Sequence, residues 1–368
     1  MKLVFFTRHQ ALGASSRYRS VQYFDLLRAR GHEIDQHHFF SDAYLRSRYA
    51  GARPVGAVLG SYVARMRAAL TAAADADAVI VEKELFPHLP AFTERLLRRG
   101  NAALIYDYDD AIWHSYERLS VGPLGPVFAD KIRRVVAGAD HVIAGSHYLE
   151  DQLRAWGARA VSRIPTTVPA RRYQGQGINA EKTADIVWIG SLSTGVHVRR
   201  LFPVLERLHR ERSSKARLIG FPRGLIAGTV PDFLEIVPWS AETELAMMAS
   251  GRIGIMPLPD ERFERGKCGF KLVQYMGMGL PTVASPIGEN RHIVRDGQTG
   301  FLADSVSQWH ARLCALLDAP EVAHAMGRAG YDRYTAHYST EHAAEQLEAV
   351  IAAAVQARQP GREQVIGT

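Results

Sequence analysis

The sequence predicts an α/β protein of two Rossmann-like, doubly wound domains in series, each built on a parallel sheet, and three observations lead there. With 368 residues the chain is too long for one ordinary domain and suits two of about 150–200. Short apolar or β-branched runs alternate with helical stretches along its whole length, the pattern of parallel strands covered by helices on both faces. A mostly polar stretch carrying Pro165, Pro169, Gly175 and Gly177 then separates two such series, as a linker would.

The first half offers strands at residues 3–6, 33–40, 78–81, 103–106, 141–144 and 161–164. The second offers 185–189, 217–219, 234–237, 253–256, 282–284 and 301–303. Helical stretches between them include 19–30, 90–99, 198–212, 242–249 and 306–317. Residues 340–357 read as a last helix, capped at Ser339/Thr340 with Glu341 close behind and placed to cross back to the first domain. The expected division is thus 1–168, a linker at 169–180, 181–339, the last helix, and a frayed tail at 358–368. The opening run is too short for a signal segment and reads as a strand. No apolar run approaches the roughly 18 residues that span a bilayer. Cys268 and Cys314 are the only cysteines, and a cytoplasmic, reducing setting is the simpler assumption.

Apolar residues at 47% and charged residues at 23% are a globular balance, so each half has a core to bury. The net charge of +7 is uneven. Residues 1–170 hold 22 basic and 17 acidic side chains, leaving 23 and 21 for the rest. The excess gathers at Arg46, Arg48, Arg53, Arg65 and Arg67, interleaved with Tyr44, Tyr49, Leu59 and Tyr62 and with no acid among them. Such a surface suits an anionic membrane, here the inner face, or a phosphate. A solvated helix face is the plain alternative. Nucleic acid is not expected, since no helix-turn-helix, zinc or RNA-binding signature accompanies the charge.

In open parallel sheets the ligand lies beyond the carboxyl ends of the strands. The most informative loop there runs through Gly266, Lys267, Cys268, Gly269, Phe270, Lys271 and Gln274 to Gly279. A glycine at 269 leaves backbone amides open to an anion. A helix starting near Phe270 favours a diphosphate through its dipole. Lys267 and Lys271 add charge, and Gln274 lies one turn along from Lys271. Gly279 closes the helix. An ordinary strand-loop-helix with two surface lysines is the bland reading.

A second constellation, Asp107-Tyr108-Asp109-Asp110, ends a strand in the first half. Crowded carboxylates raise one another's pKa, which suits Asp109 or Asp110 to activating an acceptor hydroxyl. Asp-Tyr-Asp also resembles the short metal motif of one transferase fold, GT-A, though three residues are a weak signal. No metal is expected, the leaving diphosphate being neutralised by Lys271 and helix ends. Helix capping by these acids is the plain alternative. After the first strand, Ala14-Ser15-Ser16-Arg17-Tyr18-Arg19 opens a helix with two arginines, which suits an anionic ligand at Arg17 or simple capping.

The stretch from Gly266 through Gly269-Phe270-Lys271-Leu272, Gln274-Tyr275-Met276, Gly279-Leu280-Pro281 and Ala284-Ser285-Pro286 to Gly288 resembles the donor-site signature of family 4 of the retaining glycosyltransferases. The likeness continues through Asp296-Gly297-Gln298-Thr299-Gly300-Phe301, and upstream Trp188-Ile189-Gly190-Ser191 is similar to the opening of that family's second domain. It is specific over 185–303 and looser over 1–165. It implies the GT-B fold, two such domains facing across a cleft. By that likeness Cys268, Gly269 and Phe270 meet the diphosphate or sugar, position 274 the ribose, Gly190 and Ser191 the phosphates, Trp239 the nucleobase border, and Gly13 the diphosphate from the first domain. Three departures stand out. Gly266 and Gln274 replace two usual acids, for the first of which Glu261, Glu264 or Lys267 is a substitute. Ser191 stands where a basic residue is usual, and Lys271 is a candidate to carry that charge.

The expected function is retaining transfer of a sugar from a nucleoside diphosphate sugar, the donor substrate, to a carbohydrate or lipid-linked acceptor, with no cofactor. Chemistry would be positioning plus stabilisation of the departing diphosphate. A nucleotide-sugar epimerase on the same scaffold and a non-catalytic nucleotide-sugar binding protein are the rivals. A nicotinamide dehydrogenase is more distant, since no Gly-x-Gly-x-x-Gly follows the first strand.

Overall fold

The computed structural model describes residues 1–49, 51, 54–119 and 125–358. The chain divides into two compact units. The first comprises Met1–Thr167 with Gly266–Cys268 and the residues from Thr340 on, and the second comprises Val168–Arg265 with Gly269–Ser339.

The first unit is built on β1 (Lys2–His9), β2 (Glu33–Phe40), β3 (Ala78–Glu82), β4 (Ala103–Tyr108), β5 (His141–Ala144) and β6 (Val161–Arg163). They form one parallel sheet in the order β2-β1-β3-β4-β5-β6. Every residue of β3, β4 and β5 is buried, as expected where helices cover both faces. On one face Val79, Val81, Leu104 and Tyr106 pack with Ala68 and Ala69 of the helix Val55–Thr71 and Val135 of the helix Lys131–Gly138. On the other, Leu3, Phe5, Ile80 and Ile105 meet Leu27, Leu347 and Ile351, so the helix Thr340–Arg358 is a structural layer of this unit.

The second unit carries β7 (Ala184–Ile189), β8 (Ala216–Ile219), β9 (Leu234–Val237), β10 (Gly251–Met256), β11 (Thr282–Ala284) and β12 (Gly300–Leu302), parallel, in the order β12-β11-β10-β7-β8-β9. Ile186, Trp188, Leu218, Ile253 and Val283 form one face of its core with Leu208 and Leu313.

All twelve expected strands are present, whereas several helices differ. The 19–30 stretch breaks at Ser20 into Ala14–Arg19, a 3₁₀ turn and Phe24–Ala29. The 198–212 stretch is two helices, Leu192–Arg199 and Phe202–Arg212. Pro203 stands in the first turn of the second, where a missing N–H costs nothing. Residues 169–180 contain the short helix Ala170–Tyr173, whose Tyr173 is fully buried. Beyond Arg358, which bonds Asp140, the expected frayed tail lies outside the described residues. Among the described residues no helix is long and apolar enough to cross a membrane.

The basic cluster is rearranged. Arg65 turns inward, donates to the Thr7 carbonyl and stacks on Phe6 and Phe39. Burial, countered by Glu82 and Glu94, lowers its pKa to about 9. Arg46, Arg48 and Arg67 stay exposed, and Arg53 lies outside the described residues.

Each sheet has one point where consecutive strands depart in opposite directions, between β1 and β3 in the first and between β7 and β10 in the second. Loops diverging there leave a crevice, which is where ligands of such sheets bind.

Candidate functional site

In the first unit the loops after β1, β3 and β4 converge. Glu82, the last residue of β3, accepts hydrogen bonds from the Arg8 amide at 2.8 Å, Ser15 Oγ at 2.7 Å and Ser16 Oγ at 2.5 Å. Ser15 Oγ lies 2.6 Å from Asp109. Lys83 follows Glu82 with φ of +64°, a left-handed conformation that a side chain rarely adopts outside a constrained site. Its ammonium lies 2.8 Å from Asp109 and 3.5 Å from Asp110. Burial opposes that charge, but the two carboxylates outweigh burial and raise the Lys83 pKa.

The three expected acids do not act as a trio. Asp107 is held by Arg19, which also donates to the Ile164 carbonyl at 2.8 Å. Burial raises the Asp107 pKa, Arg19 opposing it. Mutual repulsion was expected to raise all of them, yet Asp109 is lowered: burial pushes upward, and Lys83 and Ser15 overcome it. Asp110 is raised, by burial first, with Lys83 working against it and Asp109 with it. One member of the pair is thus held as an anion while its neighbour is drawn toward protonation.

Gly13 precedes the helix Ala14–Arg19, and a Cβ there would lie 2.3 Å from His9 Cβ. The glycine lets the loop fold back on the end of β1. His9 is pushed down to about 4 by burial, then by Arg8 and Lys83. Arg17 lies half-buried with its guanidinium 4.7 Å from the centre of the Tyr18 ring.

Residues 266–268 group with this first unit. The Cys268 thiol donates to the Asp109 carbonyl at 2.8 Å, and a Cβ on Gly145 would meet its sulfur at 2.4 Å. A Cβ on Gly266 would lie 2.5 Å from Ala111 Cβ, so no side chain fits where the family usually has an acid. Lys267 is near enough to Asp110 to lower its pKa in part.

In the second unit the loops after β7 and β10 meet at the switch point. Gly269, at φ of +65°, caps the helix Phe270–Met278, and a Cβ there would strike Ile293 at 2.2 Å. Tyr275 fixes the helix against the sheet. Its hydroxyl accepts from the Ile189 amide at 3.2 Å, donates to the Ile255 carbonyl at 3.3 Å, and its ring occupies the space left by Gly254. The positive end of the helix dipole therefore starts beside the ends of β7 and β10. Lys271 Nζ lies 5.8 Å from the centre of the Trp188 ring. Gly190 has no room for a Cβ against Trp188 and Thr194, and the Ser191 amide donates to Thr194 Oγ1 at 3.1 Å as the helix Leu192–Arg199 begins.

Trp239, after β9, donates to Glu244 at 2.7 Å, and Glu244 takes Arg172 at 2.9 Å. Gly220, at φ of +72°, brings the end of β8 against Gly190 and Trp239. Gln274 is buried, and its amide donates to Tyr173 Oη at 3.0 Å. That bond engages one N–H of the residue expected to face a ribose. Among the candidate substitutes for the missing acid, Glu264 is buried 3.4 Å from His197, while Glu261 is exposed beside Arg200.

Sequence reasoning missed Glu82, Lys83, Glu244 and Asn290. The first two end a strand and look like ordinary boundary charges. Asn290 is fully buried, donates to the Ser285 carbonyl at 2.9 Å, and has no partner for its carboxamide oxygen among the described residues. That oxygen lies 3.5 Å from where a Gly269 Cβ would be, at the mouth of the helix.

Two family models match the chain. Residues 18–167 match the glycosyl transferase 4-like domain, and residues 183–319 match glycosyl transferases group 1. No curated protein sequence matches it. Among solved structures, a sucrose-phosphate synthase from Thermosynechococcus elongatus is similar with TM-score 0.67 and 15% identity, covering 97% of this chain and 100% of that one. Anabaena HepE in complex with UDP and glucose gives TM-score 0.67 and 15% identity over 96% and 100%. An α-glucosyltransferase in complex with UDP and a 13-mer DNA gives 0.67 and 12% over 96% and 99%. At these identities the likeness establishes the fold, GT-B.

Proposed function

Because the chain belongs to the group 1 glycosyltransferases, family 4, nucleotide-sugar-dependent enzymes of GT-B fold, we propose that it moves a sugar with retention from a nucleoside diphosphate sugar to a carbohydrate or lipid-linked acceptor at the inner face of a membrane. The observation that carries this reading is the helix Phe270–Met278 beginning at the switch point of the second sheet, with Gly269 left-handed before it and Lys271 against Trp188.

The helix dipole and Lys271 hold the diphosphate and stabilise its charge as the glycosidic bond breaks. Gly190 and Ser191 border the phosphates, and the Trp239–Glu244–Arg172 chain stiffens the loop beside the base. Gln274 offers its oxygen to the ribose while its amide stays on Tyr173. The Asn290 oxygen accepts from a sugar hydroxyl, meeting part of the need left by Gly266. On the first unit, Asp110 receives the acceptor proton, its raised pKa suiting it to the task, and Asp109 stays ionised to hold Lys83. Gly13 and Arg17 border the same crevice.

HepE in complex with UDP-glucose makes that donor the first to test. The experiment is a melting-temperature panel of nucleotides and nucleotide sugars, followed by turnover with the stabilising donor and by NMR of the product anomer. A donor should raise the melting temperature, and the product should keep its anomeric configuration. Binding without turnover for every acceptor tried, or altered sugar released without acceptor, overturns the reading. Loss of activity in EDTA overturns its metal-free chemistry.

A further inference from the structure

The helix Val55–Thr71 shows an unusual outer face. Val55, Leu59, Val63, Met66 and Leu70 are 76, 68, 65, 37 and 45% exposed. Their spacing of four, four, three and four residues places them on one side of the helix, opposite Ala68 and Ala69, which pack into the core. A contiguous apolar stripe of this kind on a folded surface marks something that covers it. No acidic residue occurs between Asp42 and Asp75, Arg67 is exposed on the same helix beside Val63, Met66 and Leu70, and Arg46 and Arg48 are exposed on the preceding helix.

On the same side of the first sheet lies the 3₁₀ segment Ala91–Arg99, with Phe92 65% exposed. Between it and the helix Lys131–Gly138 is a cavity of about 660 Å³. Leu104, Tyr106 and Val135 form its floor, and Arg95, Arg98 and Arg134 surround it. One guanidinium nitrogen of Arg98 is buried with no hydrogen-bond partner among the described residues. Glu94, the one acid lining the cavity, is already occupied by the Leu85 amide at 2.9 Å, the Phe86 amide at 3.3 Å and the Tyr106 hydroxyl at 2.8 Å. An apolar pocket with an unsatisfied guanidinium and two more at its rim calls for an anion carried on an apolar body.

Charge decides the occupant. A second copy docking through the same face would set these arginines against their own equivalents, with no carboxylate in residues 43–74 to pair with them. An anionic bilayer satisfies both features, since stable peripheral attachment takes an apolar insertion and a basic patch together. We propose that this face of the first unit docks on an anionic lipid bilayer, the helix Val55–Thr71 lying in the interface with its stripe among the acyl chains and the Arg98 cavity receiving a headgroup phosphate. The proposal deepens the lipid-linked part of the function above but needs neither donor nor acceptor, so it fails or stands apart from the transfer reaction.

The test is co-sedimentation of the full chain with phosphatidylcholine vesicles, with and without phosphatidic acid, in the absence of nucleotide sugar. The wild type should bind the anionic vesicles about tenfold more tightly than neutral ones. Leu59→Ser with Val63→Ser should abolish binding to both. Arg98→Gln with Arg134→Gln should remove the preference for phosphatidic acid. An unchanged melting temperature for the serine pair, both of whose sites are exposed, shows that the fold survives. Equal and negligible binding of the wild type to both vesicles overturns the proposal, and so does binding that neither pair of substitutions changes. A wild-type dimer in light scattering that the serine pair turns to monomer assigns the stripe to a second copy instead. Inorganic phosphate that raises the melting temperature of the wild type but not of Arg98→Gln, without vesicle binding, assigns the cavity to a soluble anion.

Discussion

The Lys83 ammonium lies 2.8 Å from the Asp109 carboxylate, inside a crevice where both are nearly shut off from water. Replacing it, as in Lys83→Met, removes the ammonium that pairs with Asp109 and Asp110 and leaves these neighbouring acids only the more distant charges of Arg19 and Lys267. Removing one partner of a buried pair costs about 3–5 kcal/mol, so a drop of many degrees in melting temperature is expected. Lys83→Met with Asp109→Asn should recover part of it. Asp109 has its pKa lowered in the folded state. Its stabilising contribution is therefore complete above the ordinary carboxylate range and lost as the pH falls below it. Urea titrations of wild type and Asp109→Asn between neutral pH and acid should converge toward the acid end.

His9 sets a second, separable pH dependence. Its folded pKa, about 4, is below its ordinary 6.5. The folded state thus prefers the neutral ring, and stability is complete above 6.5 and erodes as the pH falls from there toward 4. The ring is partly exposed, so the loss is about 1–3 kcal/mol. His9→Gln should flatten the melting temperature over that interval and leave the more acidic change due to Asp109 in place.

Gly266 tests whether a missing acid can be restored. Since a Cβ there would meet Ala111 at 2.5 Å, Gly266→Glu should not raise activity and should destabilise by about 1–3 kcal/mol. Ala111→Gly in the same chain should relieve the collision. A gain in kcat/KM seen in the double variant alone would identify Ala111, rather than the chemistry of the site, as the reason the acid is absent.

The parts that repeat in the backbone were legible, and the parts that depend on side-chain pairing were not. The central strands β3, β4 and β5 announced themselves as buried apolar runs, because a strand covered on both faces has little other composition open to it, whereas the edge strand β2, Glu33–Phe40, is polar and only partly buried. The helix Phe270–Met278 and its two glycine ends were readable from Gly269 and Gly279, where φ is positive. The Asp cluster was found, but its partners were not. Lys83 lies 26 residues from Asp109, and only the adjacency of β3 and β4 brings them together. Of the five arginines read as one basic surface, Arg65 does not belong to it: it packs inward on Phe6 and Phe39, a choice fixed by helix phase rather than by composition, while Arg46, Arg48 and Arg67 stay exposed.

Lys271 should show its role in binding rather than in folding. It is half-buried, faces the Trp188 ring and lies in the first turn of its helix. Lys271→Met keeps the stem against the indole and removes only the charge. A charge-assisted contact to a diphosphate is worth about 1.5–3 kcal/mol, so the Kd for nucleoside diphosphate in calorimetry should rise by roughly tenfold to a hundredfold. The melting temperature without ligand should move little. An unchanged Kd would remove this lysine from the donor site.

Gln274 and Tyr173 allow the ribose assignment to be separated from packing. The Gln274 amide has the Tyr173 hydroxyl as its partner at 3.0 Å, and both residues are buried. Tyr173→Phe strands that amide, and an unsatisfied buried donor costs about 1–3 kcal/mol. Gln274→Glu is different: the tyrosine hydroxyl can reverse its role and donate to the new carboxylate, so the pair survives while the second oxygen becomes a stronger acceptor. Gln274→Glu should therefore keep most of the melting temperature and bind ribonucleotides more tightly than the wild type, with no comparable gain for the 2′,3′-dideoxy analogue. If it gains equally for both, the residue at 274 serves the Tyr173 contact and does not touch the sugar of the nucleotide.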